Sequence, residues 1–351
     1  MIDTKRLVRR TEPYILAAIF LLSLLIQARS GQFFTGNNLV DLTRSMVVPA
    51  LFAIGAQMVI ISGGIDVSFT AIASLAMYMT TRILLPGDYS GNVIIAYAMA
   101  AGFGLLMGAL NGVLIAYFRF PTLVVTLGTS SLFVGIMQGV FAAHELPVPQ
   151  SMREHGQAFL FSVHNAKLGL SSEMPVTILI LLGMVVLVFF LMRYTMLGRG
   201  IFAIGGDEVS AQRAGFDVFG TKLFIYSLVG VMAGIAGIAR ASMMQNCHPT
   251  NLNGMELTVI AAVVLGGTRV SGGLGTLTGA MLGVALMTIM SNSLILIGVP
   301  TYWQKVFTGA IIIIGTGVSA WQVNASQRHL ATRRPAALVA AGMGKPNGKA
   351  E

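Results

Sequence analysis

Long apolar runs separated by short polar breaks set the plan of this chain. Ten runs read as helices: Pro13–Gln27, Met46–Ser62, Val67–Leu85, Val93–Phe118, Leu123–Ala143, Pro175–Met192, Leu223–Met244, Glu256–Leu265, Thr276–Ile297 and Tyr302–Trp321. Their apolar positions are continuous rather than alternating, which argues for membrane helices and against a barrel. A spanning helix needs about 20 mostly apolar residues. Glu256–Leu265 is too short to cross alone, so it is expected to be broken, tilted or extended by its glycine-rich ends. The predicted fold class is all-α, a polytopic membrane helical bundle of about ten spans. One membrane domain occupies residues 1–321. Residues 322–351 form a basic tail without apolar periodicity, expected to be disordered.

One polar break differs from the others. Within residues 193–222 lies Gly198–Phe216, GRGIFAIGGDEVSAQRAGF. Its second half reads as one short helix: Asp207 as the N-cap, Glu208 in the first turn, Arg213 in the last and Gly215 at the stop. A connection that only joined two spans would need a few residues. A small capped helix at the membrane surface suits another protein's grip. The longest opposing loop, His144–Met174, reads as an ordered cap or docking surface.

Composition narrows the class. Of 351 residues, 55% are hydrophobic and 10% charged, against about 25% charged in soluble domains. Membrane lipid is therefore the solvent of most of the surface. The net charge of +9 comes from Lys and Arg in short loops and tails, where they set orientation. It forms no clustered face for nucleic acid, so none is expected. Most Lys and Arg fall inside when the N-terminus is inside, and an even span count brings the C-terminus in as well. Both termini, and the Gly198–Phe216 island, are thus expected in the cytoplasm. The N-terminal run is followed by Gln27-Ala28-Arg29-Ser30, not by a small-x-small site, and is read as an uncleaved first span. The one cysteine, Cys247, excludes an internal disulfide and a cysteine-built metal site.

No enzyme constellation stands out, and no cofactor or metal is expected. Gly215–Lys222, GFDVFGTK, departs from a phosphate loop because Thr221 separates Gly220 from Lys222. His144, His155 and His164 lack spacing that would place two on one helical turn, and are read as solvated. Asp66, in SGGIDVSF, has two readings: an intramembrane functional charge, or the N-cap of a helix beginning at Val67. Asn111, Asn292 and Gln304 are the other polar groups in or near spans. With Asp66 they are candidates for a solute pathway, although helix packing suits them equally. Gly104, Gly108 and Gly112, with Gly230 and Gly234, and Gly275, Gly279 and Gly283, repeat every four residues and are expected to bring helices close. GGIDVS at 63–68 and GGTRVS at 266–271 agree at four of six positions, too short a match to claim a repeat. No acidic residue sits clearly at the centre of a span. Carriers coupled to protons or sodium need such groups, so the driving energy is expected from another subunit.

Four stretches, in order, carry a family resemblance from about Met46 to Trp321. They are SGGIDVSFTAIASL; GALNGVLIAYFRFPTLVVTLGTSSLFVGI; the island GRGIFAIGGDEVSAQRAGF; and ELTVIAAVVLGGTRVSGGLGTLTGAMLGVALM followed by NSLILIGVPTYWQKVFTGAIII. Together they resemble the permease subunits of bacterial ATP-binding-cassette importers for ribose, xylose and related monosaccharides, a branch that includes the autoinducer-2 importers. The resemblance implies a non-enzymatic permease in the inner membrane, paired with a second identical or related permease. It implies a cytoplasmic ATP-binding subunit, a periplasmic substrate-binding protein and a small sugar as solute. It also implies that the island is a coupling helix, with Gly205, Gly206, Asp207, Glu208, Ala211 and Gly215 at the positions that match. Val209-Ser210-Ala211 departs from the Glu-Ala-Ala that relatives commonly carry. An autoinducer-2, nucleoside or branched-chain amino acid permease, or a stand-alone secondary carrier, remains the alternative.

Overall fold

The computed structural model describes residues 12–165, 169–293 and 295–300, with single positions at 303, 306, 309–310 and 313. Most of the run Tyr302–Trp321, with Gln304, and all of residues 322–351 lie outside the described residues. In chain order the helices are α1 Glu12–Ser30, α2 Gly36–Ile61, α3 Phe69–Leu84, α4 Ile94–Ala116 and α5 Thr122–Gly135, which runs on as a π-turn to Val140. Then come β1 Leu146–Pro147, α6 Gln150–Gly156, β2 Phe159–Asn165, β3 Leu170–Pro175, α7 Thr177–Tyr194, α8 Met196–Gly206, α9 Glu208–Arg213 and α10 Val218–Met244. Strand β4 (Asn246–Cys247), α11 (Met255–Leu265), α12 (Leu277–Ser293) and a 3₁₀ turn at Ile295–Ile297 complete the described chain. Six of these helices are long and apolar enough to cross a membrane, and four shorter apolar ones accompany them.

The core is built from α2, α3 and α10. From Met46 on, helix α2 is apolar on every side apart from Gln57, and mostly buried, as expected of a central helix. Helices α1 and α7 expose most of their Leu and Phe side chains, Phe20, Leu21, Phe189 and Phe190 among them, which is the signature of a lipid face. The closest crossing joins α4 to α10. A Cβ at Gly104 would strike the carbonyl of Gly230, one at Gly230 would strike that of Gly104, and one at Gly234 would strike that of Ala100. The four-residue glycine spacing therefore brings the two backbones together as expected. In the same way Gly279 and Gly283 of α12 face the carbonyls of Gly266 and Ala262.

Helix α2 starts at Gly36, ahead of the apolar run expected from Met46. Its polar first turns are satisfied by partners that hydropathy does not see. Thr35 caps it, accepting from the Asn38 N–H. Asn37 Nδ2 donates to the Val163 and Leu170 carbonyls and to Ser172 Oγ, and Ser172 Oγ donates to Asp41. These partners belong to an antiparallel hairpin, β2 against β3, with Ser162 opposite Glu173 and His164 opposite Ser171. The described part of the 144–174 loop thus folds against α2, and it adds two short strand pairings to the helical bundle, the second joining β1 to β4.

Candidate functional site: a glycine junction beneath a surface helix

The island folds as two helices. Gly205 and Gly206 end α8 rather than opening the following helix, which corrects the expected single element. Thr195 caps α8, accepting from Gly198 N. Helix α9 follows with the caps expected of it. Asp207 Oδ1 accepts from Ser210 N at 2.6 Å. Ser210, through hydroxyl and N–H, holds the Asp207 carboxyl below the usual range. At the other end Gly215 takes φ +89, with Phe216 N donating to Ala211 O and Gly215 N to Gln212 O. That is a Schellman stop, which needs a left-handed residue and therefore glycine. Lys222 Nζ meets Glu208 Oε2 at 2.7 Å, so α9 is tied to the first turn of α10. Asp217 caps α10 by accepting from Gly220 N, which accounts for the GFDVFGTK segment without a phosphate.

Ala211 is the buried residue of α9. Val209, Ser210, Gln212 and Arg213 all face outward, and Val209 is 56% exposed. The coupling positions implied by the resemblance thus divide. Asp207, Glu208, Ala211 and Gly215 shape and hold α9, while the side chains free to touch a partner stand between them.

Beneath α9 the backbone of Gly205 is pressed into two loops. A Cβ there would collide with the Ile61 carbonyl and come within 2.6 Å of Gly273 N. Gly273 N donates to that same Ile61 carbonyl at 2.8 Å. A Cβ on Gly272 would lie 3.0 Å from the Cα atoms of both Gly205 and Gly63, and one on Gly273 3.1 Å from Gly206 Cα. The end of α8, the α2–α3 loop and the α11–α12 loop therefore meet backbone to backbone. Gly272, Gly273 and the Ile61 carbonyl were missed as site residues. The signal was the glycine density of GGTRVSGGLG, but spacing alone does not say which strip of chain fills the gap.

The two loops resemble each other, though not in the register of the hexapeptide match. Gly63 (φ +84) and Gly267 (φ +91) are the left-handed helix stops. Gly64 N donates to Val59 O, and Thr268 N to Val263 O. Gly63 corresponds to Gly267, one residue off the pairing with Gly266 that the sequence match suggests.

Asp66 is not the N-cap of a helix starting at Val67. Helix α3 begins at Phe69. Asp66 Oδ1 instead accepts from Ser68 N and Ser68 Oγ at 2.7 and 2.6 Å, and Asn111 Nδ2 donates to Ser68 Oγ at 2.8 Å. Asp66 and Asn111 are brought together through Ser68, all three buried. They tie the α2–α3 loop to α4. Glu256 accepts from Gly254 N, as a residue opening a helix should, and also from Thr70 Oγ1 of α3. Asn292 lies apart from these, on a cavity between α2, α11 and α12. The histidines do not converge: His155 Nε2 pairs with Tyr97 Oη, and His164 Nδ1 with Ser171 Oγ. Among the described residues no group of three or more His, Cys, Asp or Glu is placed to hold a metal ion.

A bundle of close-packed apolar helices, with a self-capped polar helix resting on its loop ends, defines a helical membrane permease. The chain belongs to the family described as "Branched-chain amino acid transport system / permease component", which it matches over residues 38–315. It is 32% identical over 300 residues to the "Ribose import permease protein RbsC" of Escherichia coli (strain K12), covering 85% of this chain and 90% of that one. It is 30% identical to the "Ribose import permease protein RbsC" of Bacillus subtilis (strain 168), over 84% of this chain and 88% of that one. Against the "Xylose transport system permease protein XylH" of Escherichia coli (strain K12), identity is 28% over 85% of this chain and 87% of the other. No solved structure matches it.

Proposed function

We propose that this chain is the permease subunit of an ATP-driven importer for a monosaccharide, with α9 as the helix through which a cytoplasmic ATP-binding subunit moves it. The observation that carries the reading is the junction at Gly205. A push on α9 reaches Gly206 and Gly205, and from there the α2–α3 and α11–α12 loops, with no flexible side chain between them. Packed interfaces of this kind switch between arrangements rather than deform gradually. Val209, Gln212 and Arg213 would touch the ATP-binding subunit. Asp207, Glu208, Ala211, Gly205, Gly206 and Gly215 would keep the helix shaped and seated. The Lys and Arg distribution supports placing α9 and both termini in the cytoplasm. The opposite end, with α6 and the hairpin, would then receive a periplasmic binding protein, and a second permease would complete the pathway. The sugar assignment rests on the names of the relatives.

The test is co-purification of the permease with its ATP-binding subunit. Val209→Asp combined with Gln212→Asp should abolish it while the permease stays in the membrane at normal amount. Unchanged co-purification would reduce α9 to an ordinary connection. Solute class is read separately, by uptake of labelled ribose, xylose and leucine into vesicles holding the complete complex. Gradient-driven uptake by the permease alone would make it a secondary carrier.

A further inference from the structure

Helix α11 starts at an exposed turn, Asn253 and Gly254, and runs into buried Val259. Its far end, Leu265, leads into the junction loop, and its 11 residues span only about 16 Å at about 1.5 Å per residue. The short apolar run is therefore a half-span, and its first turn opens on a cavity of about 370 Å³ between α2, α11 and α12. Depth can be counted along the neighbours. Pro49 of α2 lies about 18 Å along the helix from Ile61, and Thr288 of α12 about 17 Å from Leu277. Both Ile61 and the loop before Leu277 belong to the junction. The cavity's lining, from Thr288 and Pro49 out to Ser45, thus lies about 17–24 Å from the junction, within the reach of a hydrocarbon core about 30 Å thick.

Its walls have a consistent chemistry. Ser45, Asn253, Thr258, Thr288, Ser291 and Asn292 line it, and no Asp, Glu, Lys or Arg does. Glu256, the nearest acid in sequence, is turned back onto Gly254 N and across to Thr70. Pro49 lies inside α2 and has no N–H, so the Ser45 carbonyl loses its partner four residues on. Ser45 and Pro49 both line the cavity. Gly254 precedes the first turn of α11 with no side chain to cap it. A helix start at that depth and a proline-freed carbonyl are tolerated in a membrane only where they face protein or a wet cavity, and solute sites form at such breaks. Met255, Val259, Val284 and Met287 supply apolar patches between the polar groups.

We infer that this cavity is an intramembrane resting site for a neutral, polyhydroxylated solute. Hydroxyls, carboxamides and exposed backbone offer both donors and acceptors, and the apolar patches fit the C–H faces of a sugar ring. A zwitterionic amino acid would find no fixed charge to pair with. The inference rests on the importer reading above and names the place where its solute pauses.

The experiment uses the complete complex of permease, ATP-binding subunit and receptor, with labelled ribose as probe. Thr288→Val together with Asn292→Leu should lower uptake about tenfold, as expected for two lost hydrogen bonds. Thr288→Ser in the Asn292→Leu background should recover about threefold of that loss, the share of one hydrogen bond. Co-purification of the ATP-binding subunit serves as the folding control. Uptake by the double variant equal to wild type overturns the assignment. If the double variant fails to assemble, Ser291→Cys decides. Its labelling by a small hydrophilic thiol reagent should slow when ribose is transported, and labelling indifferent to ribose overturns the site. A wild-type complex that accumulates neither ribose nor xylose sinks the sugar reading itself. Normal ribose uptake that ignores the cavity substitutions sinks only the cavity.

Discussion

The two ends of the bundle are held together in different ways. At the α8–α9 end the contacts are backbone to backbone. Gly205, Gly272 and Gly273 leave no room for a side chain, and the Ile61 carbonyl binds Gly273 N directly. At the hairpin end side chains carry more of the ties, beside a few backbone contacts such as Ser151 N to Tyr89 O and Gly156, where a Cβ would strike the Ser242 carbonyl. Asn37 and Asp41 hold the hairpin to α2. Arg153 joins Asp88 at 2.9 Å and the Val148 carbonyl, Gln245 Nε2 reaches Arg153 O, and Arg44 reaches Met243 O. Backbone contacts have no rotamers to absorb a displacement, so a movement at one element must appear at the next. Side-chain ties can lengthen or re-form as a partner docks. The first arrangement suits the transmission of force, the second a surface that adapts.

The sharpest way to break this comparison is Gly205→Val. Its Cβ would meet backbone that cannot rotate away, so the loss of stability should be about 3 kcal/mol or more. A thermal melt of the purified permease checks this, and a melting temperature equal to wild type would mean the junction is loose. Asn37→Ala comes next. It leaves the Val163 and Leu170 carbonyls without that partner, for an expected loss of about 1–3 kcal/mol. Hydrogen exchange should rise in β2 and β3 while co-purification with the ATP-binding subunit is unaffected. Equal disturbance at both ends would argue that the two are mechanically one unit.

The Glu208–Lys222 pair should matter less, because Glu208 is half exposed. A double-mutant cycle with Ala at each position should return less than about 1 kcal/mol, and less still in high salt. The smallest effect is pH-dependent. Burial against Tyr97 lowers the His155 pKa from its ordinary 6.5. The unfolded chain then binds the proton more readily than the folded one. Stability is complete above pH 6.5 and declines as pH falls below it toward the lower folded value. His155→Gln should flatten the melting temperature across that window, and a wild-type profile already flat there would show that the imidazole is not held neutral.

Legibility followed the range of the interactions. The α9 caps were readable because Asp207, Arg213 and Gly215 act within a few residues of one another. The α4–α10 crossing was readable because Gly104, Gly108, Gly230 and Gly234 announce a close face, although the partner of each face was not. The start of α2 was missed, since Asn37, Asp41 and Arg44 look unfavourable until the hairpin and the end of α10 are placed beside them. For Asp66 the helix cap was one of two readings, because Asp before an apolar run often is one. The buried Ser68 hydroxyl and Asn111 carboxamide drew it into a turn two residues earlier. The cavity was foreshadowed by Asn292 and by the short run Glu256–Leu265, but Ser45, Thr258 and Thr288 gave no signal of their own.

By itself the sequence determined that this is an apolar helical permease with one rigid polar helix on its surface. Hydropathy, capping and small-residue spacing are properties of neighbours in the chain. The tertiary structure decided what that helix rests on, which polar residues meet one another and where a short helix leaves a cavity. Those depend on backbones far apart in sequence: Ile61, Gly205 and Gly273 at the junction, and Ser45, Thr258 and Asn292 at the cavity. No local pattern encodes which distant strand of chain comes to fill the space beside a glycine or beyond a proline.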